Sequence, residues 1–587
     1  MRKRCIVAAW AVAWAAWCAA PTAGAPRNEA KVPYPKYPAL YEQVKAVVAG
    51  TGDAKAAVAA IDEELAKVVV MTGRDTRARD DMLQQLFTLR GAVTTLAPAK
   101  DKDIVAILLD RPQYLGRFLH ALDEADNVPK AVGVLKQLKE IDEALFLKNS
   151  EFCIAFAVVW DDFHGYHWVD KTCGPVPEGY MADLYRWFYS HARQMTIKPW
   201  ELPFELSVYV VHTRLTPEER DWAMRNYEDT SDAYAIYKTV PWTKVLSPAH
   251  GMGGGIPYTL MNMKQHGGVC MEQAYFTEQV MRLHGVPASY MRGEGRSEGH
   301  AWTGVFLTRP QPQWDFSAGR YREGRYYLGM SHDPTNTMSV GNYKAPMLLE
   351  ADIRMTAAAL VSAKGSLATI EQSYALLDAA QWASVHMPEE VATAPKPMSR
   401  NALVESLADE GLRVNPFNAG VWGLAAQMAH DKKLTGDQAM DWAKKLADKT
   451  LKPFPDYTVA YIGHFLDCAE NPDLKIKLYG RLYDELKVSR ADLASNVKVA
   501  EGDIWQAKGD VRRAMQCYVY PLVNFSQDDH VLGMAQEKLK TVGATGNKDE
   551  TVKACKEILK ALGKGEATPE RTEAARIVNE KLKTLGG

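Results

Sequence analysis

Gly267-Gly268-Val269-Cys270-Met271-Glu272-Gln273-Ala274-Tyr275-Phe276 is the stretch on which the reading of this chain turns. Two glycines lead into a cysteine, and Met271 to His284 follows with a helical pattern. Ala274, Tyr275, Val280, Met281 and Leu283 approximate one apolar face, and Glu272, Gln273, Glu278 and Gln279 form the polar one. Gly285 and Pro287 then stop the helix. Cys270 therefore falls at a helix N-terminus, where free backbone N–H groups and the positive end of the dipole favour thiolate over thiol. The expectation is a lowered thiol pKa, the condition that makes a sulfur nucleophilic at neutral pH.

Outward from the helix, Ala288 to Arg292 reads as a strand and Gly293 to Gly299 as a polar, glycine-rich loop. His300 to Leu307 is a second strand, with His300 and Trp302 on one face. Tyr326 to Met330 is a third, and it delivers Asp333 at its end. A thiol, an imidazole and a carboxylate are the groups a cysteine nucleophile needs. Cys270 attacks a carbonyl, His300 takes its proton, and Asp333 holds the ring tautomer. Trp302 reads as a wall beside the histidine. A second oxyanion donor is needed besides the backbone N–H of the nucleophile, and Gln265 and Asn262 are both candidates.

Three short motifs carry a family resemblance: Gly268-Val269-Cys270, His300-Ala301-Trp302 and Asp333-Pro334-Thr335. In this order they resemble the transglutaminase-like superfamily, over about Val240 to Tyr343. The resemblance implies an α+β, papain-like core in which the nucleophile helix packs on an antiparallel sheet. It implies a cysteine protease, amidase or acyltransferase that works on amide bonds of a protein or peptide through a thioester, with no cofactor. Water as acceptor gives hydrolysis, the first expectation, and an amine gives cross-linking. The alternative is a non-enzymatic interaction scaffold that keeps the triad as packing.

The rest of the chain frames this segment. Arg2-Lys3-Arg4, the apolar run Cys5 to Ala20 and Ala23-Gly24-Ala25 read as a bacterial-type export signal over residues 1–25. The run is short for a spanning helix, so the expectation is a periplasmic or extracellular protein with no membrane span once the signal is removed; an uncleaved anchor is the alternative. Residues 26–150 read as a helical N-terminal domain, punctuated by Pro98, Pro112 and Pro129. The catalytic domain is placed at 151–345 and includes two further apolar runs read as strands, Phe152–Val159 and Leu202–Val211. Thr216-Pro217-Glu218-Glu219 carries the capping-box spacing of a helix start. Residues 346–587 read as paired helices, with Gly502 to Tyr518 resembling a tetratricopeptide unit whose surface would bind a protein partner.

Several classes are excluded. A formal net charge of −2, with only short basic runs, gives no footprint for nucleic acid. Gly251 to Gly255 lacks the Lys-Ser/Thr ending of a phosphate loop and reads as a flexible rim. His164, His167, Asp161, Asp162 and Cys173 match no structural zinc spacing, and no metal is expected. Beyond the signal stand Cys153, Cys173, Cys270, Cys468, Cys517 and Cys555, too sparse for a disulfide scaffold, with Cys153–Cys173 the pair best placed to bridge.

Overall fold

Asp53, Asn127 and Asp142 each accept backbone N–H groups at the start of a helix, and prolines open several more, so the N-terminal half is helical for local reasons. In the computed structural model the described residues are 33–586, apart from 72–75, 245–254, 295–298, 310–311, 321–328, 336–346, 362–367, 526–529, 544–547 and 565–566. The expected export signal, Gly251 to Gly254, and Tyr326 to Leu328 therefore lie outside the described residues. The chain divides into two compact units. One comprises residues up to 291, 301–320 and 330–424; the other runs from 425 onward together with 292–300 and 321–329.

The first unit begins with α1 (Pro38–Val48), α2 (Ala54–Val68), α3 (Thr76–Gly91), α4 (Lys102–Leu109), α5 (Pro112–Ala121), α6 (Val128–Ile141) and α7 (Glu143–Lys148). It continues with α8 (Ser150–Trp160), α9 (His167–Cys173), α10 (Tyr180–Ser190), α11 (Phe204–Val211), α12 (Pro217–Asn226) and α13 (Ala233–Lys238). Then come α14 (Leu260–His266) and α15 (Cys270–Leu283), the helix that opens on the cysteine.

Two expected strands are helices. Phe152–Val159 lies inside α8 and Leu202–Val211 supplies α11. All eight residues from Phe152 to Val159 are buried, because α8 is covered by α5, α6 and α11. A helix apolar on every side has no 3.6-residue period to read, and its run length matches that of a buried strand. The expected Cys153–Cys173 bridge is also absent: both cysteines are free, the first buried inside α8 and the second exposed at the end of α9.

A small sheet follows α15. Its strands are β1 (Ala288–Glu294), β2 (Gly299–Leu307), β3 (Gln313–Ala318), β4 (Met330–His332) and β5 (Met347–Leu349), in the order β3-β2-β1-β4-β5. β2 and β3 run antiparallel with Phe306 opposite Trp314, and β4 and β5 run antiparallel with Met330 opposite Leu349. The fold is thus mixed helix and sheet, with helix predominant. Helices α16 (Glu350–Val361), α17 (Ala368–His386) and α18 (Arg400–Val414) complete the first unit, and α19 (Ala419–His430) spans the division at 424.

The second unit is built from α20 (Gly436–Thr450), α21 (Pro455–Leu466), α22 (Pro472–Leu486), α23 (Ala491–Ala507), α24 (Val511–Asn524), α25 (His530–Thr541), α26 (Lys548–Leu562) and α27 (Pro569–Thr584). Helix α20 packs on α21, α22 on α23, α23 on α24, α24 on α25 and α26 on α27. The Lys508-Gly509-Asp510 turn behaves as its residues dictate: Gly509 takes φ +80° and Asp510 accepts the Arg513 N–H at 2.9 Å. Gly502 faces Tyr518, where an added Cβ would sit 2.5 Å from the ring. That close approach frees the Tyr518 hydroxyl to reach Asp503 at 2.7 Å. Among the described residues, no helix is long and apolar enough to cross a membrane.

Candidate functional site

The two glycines before the cysteine have separate jobs. Gly267 has φ +78°, and a Cβ there would stand 2.3 Å from the Pro241 carbonyl oxygen. This approach lets the Gly268 N–H donate to Pro241 O at 2.9 Å, while the Thr243 N–H donates to Gly268 O at 3.0 Å. Gly268 leaves room for Glu272, whose Cβ would be 2.3 Å from an added methyl. Glu272 folds back and accepts the Val269 N–H at 2.9 Å, and the Tyr258 hydroxyl lies 3.3 Å from its other oxygen. The turn into α15 is therefore held by a carboxylate from the helix itself, with Cys270 as its first residue.

Strand β2 is pinned along the first turns of α15. The Tyr237 hydroxyl donates to Ala301 O at 3.0 Å and lies 3.5 Å from Cys270 O, and Thr303 Oγ1 donates to Ala274 O at 3.0 Å. The first residue of α15 is thus braced against β2 at the residue following His300. The Ala301 and Met271 backbone N–H groups both favour the Cys270 thiolate. His300 is buried, and Trp302 is fully buried with the Arg320 guanidinium 5.1 Å from its ring centre.

The thiol departs from the sequence expectation. Burial pushes the Cys270 thiol up from its ordinary value, and the nearby Glu272 carboxylate adds to this. The Ala301 and Met271 N–H groups pull the other way without overcoming burial. A helix N-terminus lowers a thiol pKa and burial raises it, and here α15 is covered by α11, α12, α13 and α14.

The same cover overturns the expected polar face. Every residue of α15 from Glu272 to Leu283 is buried. Its polar groups are bonded inward instead. Glu278 accepts from Arg282 at 2.6 Å, from the Tyr166 hydroxyl at 2.6 Å and from the Tyr290 N–H at 2.7 Å. Arg282 also donates to His212 Nδ1 at 3.0 Å, and His212 Nε2 donates to His164 O at 3.0 Å. Burial first, and Arg282 second, push His212 down to about 3, so its ring is neutral and uses both nitrogens.

Asp333 follows β4 directly. Its Oδ1 accepts from the Thr335 N–H at 3.0 Å and the Thr335 hydroxyl at 2.8 Å, so the Asp-x-Thr spacing forms a closed turn. Burial pushes its carboxyl up, the Asp123 carboxylate adds to this, and Thr335 opposes it. The two proposed oxyanion donors lie on α14. Gln265 is exposed, and the Asn262 amide donates to Pro257 O at 2.8 Å. The backbone N–H that favours the thiolate from outside α15 is that of Ala301.

Sequence reasoning missed Glu272, Tyr237 and Tyr258 as the braces of the thiol turn, and also Trp242. That tryptophan is 62% exposed and forms a bridge with Gly268. Only Glu272 left a readable signal, a Glu at the third helical position. The site as a whole is a half-buried thiol at a helix N-terminus, with a neighbouring strand braced against that helix. Compared with protein-family models, with curated proteins and with solved structures, the chain matches none.

Proposed function

We propose that this chain is an exported cysteine enzyme acting on amide bonds, with a papain-like arrangement of the transglutaminase-like type. Cys270 is the nucleophile, His300 its base and Asp333 the orienting carboxylate. The sulfur adds to the amide carbonyl, the leaving amine takes the proton held by His300, and a thioester forms. Water or a second amine then resolves it. The observation that carries this reading is the Tyr237 hydroxyl, which donates to Ala301 O at 3.0 Å and lies 3.5 Å from Cys270 O, bracing the residue of the nucleophile against the strand that bears His300. The helical repeats after residue 425 suit a protein partner or substrate.

Iodoacetamide labelling of the full chain at about pH 6–7 tests it. Cys270 should react faster than the exposed Cys173, and His300→Ala should slow Cys270 alone. Equal rates at all thiols, or no effect of His300→Ala, would sink the enzymatic reading. Incorporation of a fluorescent amine into a glutamine-rich protein, measured against peptide release, separates the two acceptors. A scaffold is the second reading, and the burial that pushes the thiol up is what favours it.

A further inference from the structure

Helices α3, α5 and α17 line an open-mouthed cavity of about 300 Å³ in the first unit, at the lower end of the range for small-ligand sites. Its walls include the Phe87 and Tyr374 rings, and His120 stacks on Tyr374 with ring centres 3.4 Å apart. Burial first, and Arg117 second, push His120 down to about 3, so it brings no positive charge.

The cavity's arginine is already committed. Arg117 donates to Glu151 at 3.0 and 2.8 Å and to Glu205 at 2.9 and 2.7 Å, with Phe204 stacked 4.5 Å from its guanidinium. Arg117 is thus held by its two carboxyl partners and is not free to repel a second cation as an unpaired charge would. Two more carboxylates, Glu371 and Asp378, project from α17 into the same lining. Glu371 is raised by burial and by Glu151 and Glu205, while Arg117 and a bond from Gln84 oppose this. Burial alone acts on Asp378 and pushes its carboxyl up to about 7. Burial favours the protonated form of both carboxyls while the cavity is empty, so a cation entering it would meet two carboxyls that its charge would ionise, beside two aromatic side chains. Among the described residues there is no group of three or more His, Cys, Asp or Glu side chains that could hold a metal ion. Carboxylates beside aromatic rings suit a cation with apolar substituents.

We propose that this cavity binds a small organic ammonium ion, with Asp378 and Glu371 as its counter-charges and the Tyr374 and Phe87 rings as its walls. The site is separate from the proposed thiol chemistry and does not depend on it.

Calorimetric titration of the full chain with putrescine, and with 1,4-butanediol as the neutral isostere, tests the proposal. Putrescine should bind once per chain and the diol should not. Asp378→Asn should weaken putrescine binding by about tenfold or more, the worth of one charge-assisted hydrogen bond. Glu371→Gln carries the same test should Asp378→Asn fail to fold, as judged by its melting curve. Cys270→Ala should bind putrescine like the parent chain. No putrescine binding, equal binding of the diol, or unchanged affinity in a folded Asp378→Asn or Glu371→Gln chain would overturn it. So would loss of binding in Cys270→Ala, which would assign the amine to the thiol site instead.

Discussion

Helices α15 and α27 show two ways of using charged residues in a helix. In α27, Ala574, Ile577, Val578 and Lys581 face inward, and Arg576 lies at the surface between Glu573 and Glu580. In α15 the charged residues Glu272, Glu278 and Arg282 are all buried, and each is met by a named partner. The first pattern gives stability through an amphipathic face and tolerates change. The second gives little net stability and demands one geometry, since any unpaired member is a desolvated charge. A helix that must hold its first residue to a fixed place gains from the second arrangement.

Substitutions at matched positions can break or sharpen this contrast. Arg282→Ala leaves Glu278 buried without its cation and should cost about 3–5 kcal/mol in urea unfolding. Arg576→Ala should leave the unfolding midpoint unmoved, because exposed pairs contribute little. Equal effects would show that the buried network carries no special weight.

Next in size is the pair of left-handed glycines. Gly267→Ala adds a Cβ 2.3 Å from the Pro241 carbonyl oxygen, whereas Gly509, at φ +80°, has open space around it. Gly509→Ala should therefore cost only the conformational term, about 1–2 kcal/mol. Gly267→Ala should cost clearly more in the same denaturation experiment and should also alter the rate of Cys270 alkylation.

The smallest effect concerns pH. Burial pushes the Glu272 carboxyl up to about 7 from 4.5. A carboxyl raised on folding binds more protons in the native state between those values, so its contribution is most favourable below pH 4.5 and is lost as pH rises toward 7. Glu272→Gln should flatten that part of the stability–pH curve. An unchanged slope would mean that other groups set it.

Much of the chain's local punctuation was legible in the sequence. Thr216 caps α12, with Glu219 reaching back to the Thr216 N–H at 3.0 Å, as the Thr-Pro-Glu-Glu spacing implies. The helix beginning at Cys270, the strands beginning near Ala288 and His300, and the Lys508-Gly509-Asp510 turn were likewise readable, because capping and turn chemistry act within a few residues. The candidate site was legible as residue types and order. Its electrostatics were not, because burial of α15 depends on α11 to α14, which come from four separate stretches of chain.

By itself, the sequence determined where helices begin and end, and that a cysteine should stand at the first position of one of them. Tertiary structure alone decided that α8 and α11 are helices rather than strands. It decided that Glu278 and Arg282 face each other and not water, and that the Cys270 thiol is raised rather than lowered. The reason is common to all three: periodicity and dipole arguments assume that one side of an element meets solvent, and here the neighbouring helices remove it.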